Sequence, residues 1–420
     1  MPPFVVSLLD TTQKTNSMNK TTTFVGQHVF SQLLSLSSKD SLSSVFKSTS
    51  ANKWYKSIKA WDHYVTMMFC VLSNCSSLRE IVMGLEAFGG KLNHLNLDKV
   101  PPRSTLADAN EGRRSLVFAK IYEELSRRYR LNLSDSTLPQ AVLSKLFIID
   151  STVFSLFKAI LKTSGRTSGD GRKKGGIKKN TMLEATSHMP VLIRFNAAAD
   201  NDQQFLKYIN LPSGSYLTFD KGYNNYGQFA RFTENGILFI TRQKDNAIYT
   251  AVSEKILTPE TPDEVLKDEI IHQNYKDKKA KEQTVELRRI AWWDAKGKRT
   301  YEFITNNFEL DAAVIAEVYR YRWQIELFFK KLKQNFPLQY FVGDNQNAIE
   351  IQIWCALIAV LLLTVVHQRN NSKISFSNVT TLLRIHLTGY ISIKELLALH
   401  NKKRERVKKA TAHKDLFGQT

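Results

Sequence analysis

Cysteine is scarce, with only Cys70, Cys75 and Cys355 in 420 residues. Neither their number nor their spacing suits a disulfide framework or a zinc site, which leaves a reducing compartment as the default. Acidic charge is also short. Against 59 Lys and Arg stand 39 Asp and Glu, a net charge of +20. That excess, with a pI near 9.7, points to a polyanion partner, most simply nucleic acid. A membrane surface is the competing partner, but no basic amphipathic anchor lies beside a lipidation site. The apolar patch at the N-terminus has no basic flank, so no signal peptide is expected. Long apolar runs are nearly absent. Residues 351–368 form the one segment that approaches the length of a membrane span. With Gln352 near its start and His367 at its end, it reads as a buried core helix. There is no Walker-A loop, no helical His pair of the zinc type, no Gly-x-Ser-x-Gly elbow and no internal repeat. What remains is an ordinary globular composition, 43% hydrophobic and 23% charged, long enough for two or three domains.

Taken in order, residues 1–17 read as a disordered tail or a start-site artefact. Residues 18–140 read as helical. Ser76 or Ser77 is a natural N-cap, Gly89-Gly90 a stop, and Thr105 with Asp108 a capping-box pair. A helix opening at Arg103 and carrying Arg113 and Arg114 fits a helix-turn-helix reader of DNA, against the plainer reading of a helical bundle with a charged surface. From about Lys145 the pattern changes to α/β. LFIID is a short strand ending at Asp150, and YLTF is another running directly into Asp220. Gly222 permits a sharp turn there, with Lys221 beside the acid. Between them, residues 164–180 form a Gly- and Lys/Arg-rich connection. Its Arg172, Lys173, Lys174 and Lys178 fit a phosphate backbone. Residues 245–305 read as a β-rich insertion that holds the adjacent Trp292 and Trp293. In a strand these point to opposite faces. Core packing suits both, and stacking on an unpaired base would suit one. The tail after residue 370 is basic.

One helix, read from Asp311 to Phe336, organises the rest. At ~100° per residue, Tyr319, Arg322, Glu326 and Lys333 fall on one stripe beside an apolar arc of Val318, Ile325, Phe328, Phe329 and Leu332. A carboxylate flanked by two cations and a phenol fits a metal ligand among phosphate-holding groups. An Arg322–Glu326 helix salt bridge is the alternative. If the two strands are neighbours and the helix crosses them, Asp150, Asp220 and Glu326 converge. Clustered carboxylates need bound cations. Oxygen-only ligands suit Mg²⁺, or Mn²⁺ as a substitute. A pair of such ions supports phosphodiester cleavage, and a 3′-hydroxyl in place of water turns hydrolysis into strand transfer.

Tyr319-x2-Arg322-x3-Glu326-x6-Lys333 resembles the Tyr-Arg-Glu-Lys signature of bacterial insertion-sequence DDE transposases of the IS-four family, spacings included. IID at Asp150, TFDKGY at Asp220 and FITNNF before the helix are similar to that family's motifs, and PPRSTLADAN resembles the N-terminal domain of one branch. The resemblance implies an α/β RNase H-like catalytic core over residues 141–370, a mixed sheet flanked by helices with the β-rich insertion. An all-α DNA-binding domain (18–140) would precede it and a basic helical segment (371–420) follow. It implies two Mg²⁺ ions on Asp150, Asp220 and Glu326, and DNA contacts from Tyr319, Arg322 and Lys333. Lys221, the basic connection, Arg103, and Trp292 or Trp293 are further candidates. It also implies cut-and-paste movement of double-stranded DNA between terminal inverted repeats and a target. A homodimer would synapse the two ends, and second-strand cleavage would pass through a DNA hairpin with a flipped base. No membrane is involved, and the place of action would be cytoplasmic, at the bacterial nucleoid. Many relatives have His where this chain has Asn180. A nuclease without strand transfer and an inactive DNA-binding regulator are the alternatives.

Overall fold

A computed structural model describes the backbone of residues 4–5, 26–129, 137–155, 165–167, 173–197, 201–277, 280–336, 338, 340–370 and 372–401, with side chains except at 4–5, 153–155, 165–167, 173–179 and 196–197. Contacts divide the chain into two units. A sheet unit holds Met1–Val6 with Leu131–Phe329, and a helical unit holds Ser7–Arg130 with Lys330–Thr420.

The helical unit begins with α1 (Val29–Leu34), α2 (Ser43–Ser48), α3 (Ala60–Ser73), α4 (Leu78–Glu86), α5 (Arg103–Gly112) and α6 (Leu116–Arg128). The cap at α4 is Ser77, whose hydroxyl accepts from the Glu80 N–H. The Glu80 carboxylate in turn takes the N–H and hydroxyl of Ser76. Gly89 and Gly90 then leave the helix at positive φ. α5 starts at Arg103 rather than at a Thr105 capping box. Pro102 is its N-cap, with no side-chain bond; the ring presets φ for the turn. α3 and α4 meet at 99°, within the ~90–120° of a helix-turn-helix pair. Residues 87–102, however, separate α4 from the helix that carries Arg103. Arg113, expected with the DNA-reading face, is 2% exposed. It donates to the carbonyls of Ala51 and Ile58. A buried guanidinium with carbonyl partners is a clamp, since unpaired burial of charge is costly.

The sheet unit adds β1 (Phe4–Val5), α7 (Gln140–Leu143), β2 (Leu146–Ser155), β3 (Gly165–Thr167), β4 (Lys173–Glu184), β5 (Met189–Ala197) and β6 (Tyr216–Phe219). Next come α8 (Tyr226–Glu234), β7 (Leu238–Arg242), β8 (Thr250–Glu254), β9 (Val265–Lys276), β10 (Glu282–Asp294), β11 (Arg299–Thr305), α9 (Ala312–Tyr321) and α10 (Trp323–Asn335). The strands order as β1-β5-β4-β2-β6-β7-β11-β10-β9-β8, with β3 on β4. β2 is antiparallel to β4 and parallel to β6, and β7 is parallel to β6.

Three expectations change here. Phe4 and Val5 pair with β5, so these two residues are not a structureless tail. β2 runs past Asp150 because β4 keeps supplying ladder partners as far as Ser155. The basic connection therefore holds strand as well as loop, with Lys173, Lys174 and Lys178 on β4. Arg172 lies outside the described residues, and those three lysine side chains do too. The β-rich insertion is joined to the core sheet, because β11 pairs with β7 and carries the sheet outward.

α11 (Gln346–Arg369) and α12 (Phe376–Ile385) return to the helical unit. α11 is long and apolar enough to cross a membrane, yet it is buried over Ala348–Val366. It packs on α3, α5, α6 and α12. Its polar side chains are satisfied within that unit: Glu350 accepts from the Ser115 hydroxyl and from Gln346, and Gln352 takes the Val342 N–H. The expected core helix is thus real, but its contacts belong to the helical unit and not to a core spanning 141–370. A helix apolar on every face needs neighbours all round, and these helices provide them.

Candidate active site

The register of two parallel strands places the two aspartates. Ile149 pairs with Phe219 across β2 and β6, so Asp150 and Asp220 follow side by side. Asp220 ends its strand and caps a short turn, accepting from the Gly222 N–H at 3.0 Å. Gly222 is not at positive φ, so the expected need for a glycine-only turn is not seen. Behind the site the Tyr223 hydroxyl donates to Asn180 Oδ1 at 3.1 Å, which gives Asn180 a packing role. FITNNF is structural as well. Asn306 accepts from the Phe239 N–H and donates to the Ile237 carbonyl, and Asn307 receives the N–H groups of Glu309 and Leu310 ahead of α9.

The single helix expected over 311–336 is broken at Arg322. The Arg322 N–H bonds the Tyr319 carbonyl, and the Arg322 carbonyl receives the Ile325 N–H. These are i→i−3 bonds, a tightened turn between α9 and α10. Tyr319, Arg322 and Glu326 still face one way. Arg322 reaches Glu326 at 2.7 Å and Asp150 at 3.8 Å, so the helix salt bridge of the plainer reading is present. It also ties a helix acid to a strand acid. Asp220 has its own cation, Arg242 of β7, at 3.5 Å.

Burial pushes the Asp150 carboxyl up to about 6. The Ser151 N–H and Arg322 oppose that rise, while the nearby charges of Glu326 and Asp220 add to it. Asp150 therefore feels both other acids electrostatically. The three do not yet form a cation cage: among the described residues no three His, Cys, Asp or Glu side chains stand close enough to hold one ion. The expected convergence is partial, and the Arg322 guanidinium occupies the place between Asp150 and Glu326. The all-oxygen donor set fits Mg²⁺ or Mn²⁺ in chemistry; the spacing does not make a three-ligand site among the described residues.

Next to the acids opens a cavity of about 500 Å³ lined by Arg242, Trp292, Asp294, Arg299, Tyr301, Phe303, Ala313, Ala316, Glu317, Tyr319, Arg320, Arg322 and Trp323. Its size is that of a small-ligand pocket (~300–1,000 Å³). Three buried polar atoms at this place have no hydrogen-bond partner of good geometry: the Tyr319 hydroxyl, Arg322 Nε and Arg242 Nε. A native structure seldom leaves such groups unpaired, each costing ~1–3 kcal/mol.

The two tryptophans now separate. Trp292 lines the cavity, while Trp293 is not among its lining residues and is 39% exposed. Lys221 does not stand free beside Asp220; it pairs with the exposed Asp245 at 2.8 Å. Lys333 lies further along α10, and burial lowers its pKa. Arg103 is exposed at the first position of α5. Arg242, Arg299 and Trp323 were not foreseen. Arg242 ends β7, and only strand order could have brought it beside Asp220. Trp323, 57% exposed, could have been flagged as an indole next to the signature arginine.

Residues 143–362 match the family model described as a transposase DDE domain, and residues 25–97 match a domain of unknown function. A protein of Sinorhizobium fredii named as a transposase, y4zB, is 31% identical over 299 residues, 70% of this chain and 80% of that protein. One from Synechocystis, named as a transposase for insertion sequence element IS4SA, is 24% identical over 62% of this chain and 70% of its own length. One from Geobacillus stearothermophilus, named as a transposase for insertion sequence element IS5377, is 29% identical over 38% of this chain and 42% of its own. A cryo-EM structure of the piggyBac transposase synaptic complex with hairpin DNA aligns over 90% of this chain and 81% of its own. With a TM-score of 0.38 and 11% identity, that alignment decides nothing.

Proposed function

The chain belongs to the DDE transposase family and is a DNA-cleaving enzyme, and on that premise we propose that Asp150, Asp220 and Glu326 are its catalytic carboxylates. The strands β5-β4-β2-β6-β7 are read as an RNase H-like core, which their mixed parallel and antiparallel pairing supports. The observation that carries the site is the set of orphaned donors, the Tyr319 hydroxyl and the Nε atoms of Arg322 and Arg242, gathered beside an Asp150 carboxyl that feels Glu326 and Asp220. Donors left unpaired in the protein alone are suited to phosphate oxygens.

Two divalent ions, Mg²⁺ or Mn²⁺, would be held by the three carboxylates and would activate the attacking oxygen and stabilise the leaving 3′-oxygen. The protein residues do the rest. Arg322 leaves Asp150 and Glu326 for a DNA phosphate, and Arg242 leaves Asp220 in the same way. Tyr319 donates its hydroxyl to the same backbone. Trp292, not Trp293, lines the cavity where an unpaired base at the transposon end would stack, with Trp323 and Tyr301 as further walls. Lys333, Lys221, Arg103 and the basic strand β4, with Arg172, contribute phosphate contacts. The enzyme would cut both strands at the terminal inverted repeats of an insertion sequence and join the ends to a target. It would work as a homodimer on two ends.

The test is Mn²⁺-dependent cleavage of DNA carrying the element's own ends by wild type and Glu326→Gln. Retained DNA binding with lost cleavage is expected. Normal cleavage by the variant would remove Glu326 from the catalytic set.

A further inference from the structure

Trp54 is the most exposed aromatic among the described residues, at 87%. Its φ is +71°, a region that glycine takes freely and a bulky side chain seldom does. The loop around it is nevertheless firmly held. The buried Arg113 guanidinium ties its two ends together through the Ala51 and Ile58 carbonyls. It also lies 4.1 Å from the Tyr55 ring centroid. Asn52 Oδ1 accepts from the Ala60 N–H at 2.7 Å, and the Tyr55 N–H bonds the Asn52 carbonyl. A rigid base thus holds an indole out into water in a strained conformation. No packing within the helical unit accounts for it.

The charge along the loop has one sign. Lys47, Lys53, Lys56 and Lys59 are exposed, and the chain has no Asp or Glu between residues 41 and 61. The Lys53 ammonium lies 5.2 Å from the Trp54 ring centroid. Lysines around a presented aromatic match a polyanion with apolar edges between its charges, and duplex DNA has both: phosphates at the rim of a groove, and sugar and base edges within it.

We propose that the loop of residues 50–58 is a DNA-contacting element of the helical unit, with Trp54 packing into a groove and Lys53 and Lys56 on the flanking phosphates. The assignment rests on the DNA-cleaving reading above but uses none of the proposed active-site residues.

It is tested with the full-length protein, a mixed-sequence linear duplex read by fluorescence anisotropy across a salt series, and vesicles of phosphatidylserine and phosphatidylcholine. Trp54→Ala and Trp54→Gly should each weaken duplex binding about tenfold, and Trp54→Phe should keep most of it. Lys53→Ala with Lys56→Ala should reduce the slope of log affinity against log salt by about two. Trp54→Gly should melt at or above the wild-type temperature, since glycine relieves the left-handed strain. That combination, binding lost with stability kept, separates a contact residue from a structural one. Three outcomes would overturn the proposal while leaving the DNA-cleaving reading in place. These are Trp54 variants that bind duplex as wild type does, variants that lose vesicle binding instead, and variants that change only the oligomeric state. Absence of duplex binding by the wild type would overturn both.

Discussion

The arginine–carboxylate cluster around Arg288 and the one around Arg322 and Arg242 sit in the same sheet unit, and only the first is fully paired. On β10, Arg288 is 3% exposed and closes on Asp268 through two bonds of 2.8 and 2.6 Å, with its remaining arm on the Leu310 carbonyl. Every donor has an acceptor, in the forked geometry that makes such pairs strong. Arg322 and Arg242 are different. Their contacts to Asp150 and Asp220 are long, at 3.8 and 3.5 Å, and their Nε atoms have no partner. The first arrangement is complete without a ligand. The second leaves two arginine Nε atoms without a partner. Residue type is alike in the two clusters but burial is not: Arg288 and Asp268 are closed off, whereas Asp150, Asp220 and Glu326 are partly exposed beside arginines whose Nε atoms are unmet.

The largest effect expected from this contrast is catalytic. Glu326→Gln should lower cleavage by on the order of 10³-fold or more, as expected for loss of a metal-holding charge. Arg288→Ala should leave cleavage chemistry untouched in the folded fraction. Stability should show the reverse. Arg288→Ala strands a buried Asp268 and should cost about 3–5 kcal/mol in urea melts, whereas Arg322→Ala leaves the more exposed Asp150 and Glu326 and should cost less. Equal costs would mean that the second cluster is also scaffold.

The next effect is smaller and depends on pH. The folded Asp150 carboxyl sits near 6 against an ordinary value of 3.8. Its stabilising contribution is therefore present in full below about 3.8 and is lost as pH rises through about 6. Without metal, Asp150→Asn should stabilise the protein at pH 7.5 by on the order of 1–3 kcal/mol, and the gain should vanish below pH 4. Melts of the two proteins across that range check it, and a gain independent of pH would place its cause elsewhere. The smallest effect separates neighbours. Trp292→Ala should slow second-strand cleavage about tenfold, and Trp293→Ala should not.

Much of this was legible in the sequence because it depends on local periodicity. LFIID and YLTF each deliver an aspartate at or just past a run of apolar residues, and a parallel register then aligns Asp150 with Asp220. Tyr319, Arg322 and Glu326 keep their common face through the break at Arg322, because one tightened turn shifts the angle little. What was hidden depends on long-range pairing. Arg242 reaches Asp220 only because β7 lies beside β6, and no spacing in the chain reveals that. The adjacent Trp292 and Trp293 alternate by strand rule, but which of them faces the cavity is set by β11 and α9. The apolar α11 was recognisable as core, yet its partners α3, α5 and α6 lie more than two hundred residues earlier. Arg113 has the same sequence signature as an exposed DNA-reading arginine and proves to be a clamp.

Under the proposed function, Arg322 stands between Asp150 and Glu326 where a metal ion would bind. The most direct measurement is an anomalous-scattering map of the protein crystallised with Mn²⁺ and a transposon-end duplex. The account predicts Mn²⁺ peaks bounded by Asp150, Asp220 and Glu326, with Arg322 turned onto a DNA phosphate. Arg322 still bridging Asp150 and Glu326, with Mn²⁺ bound elsewhere or nowhere, would contradict it.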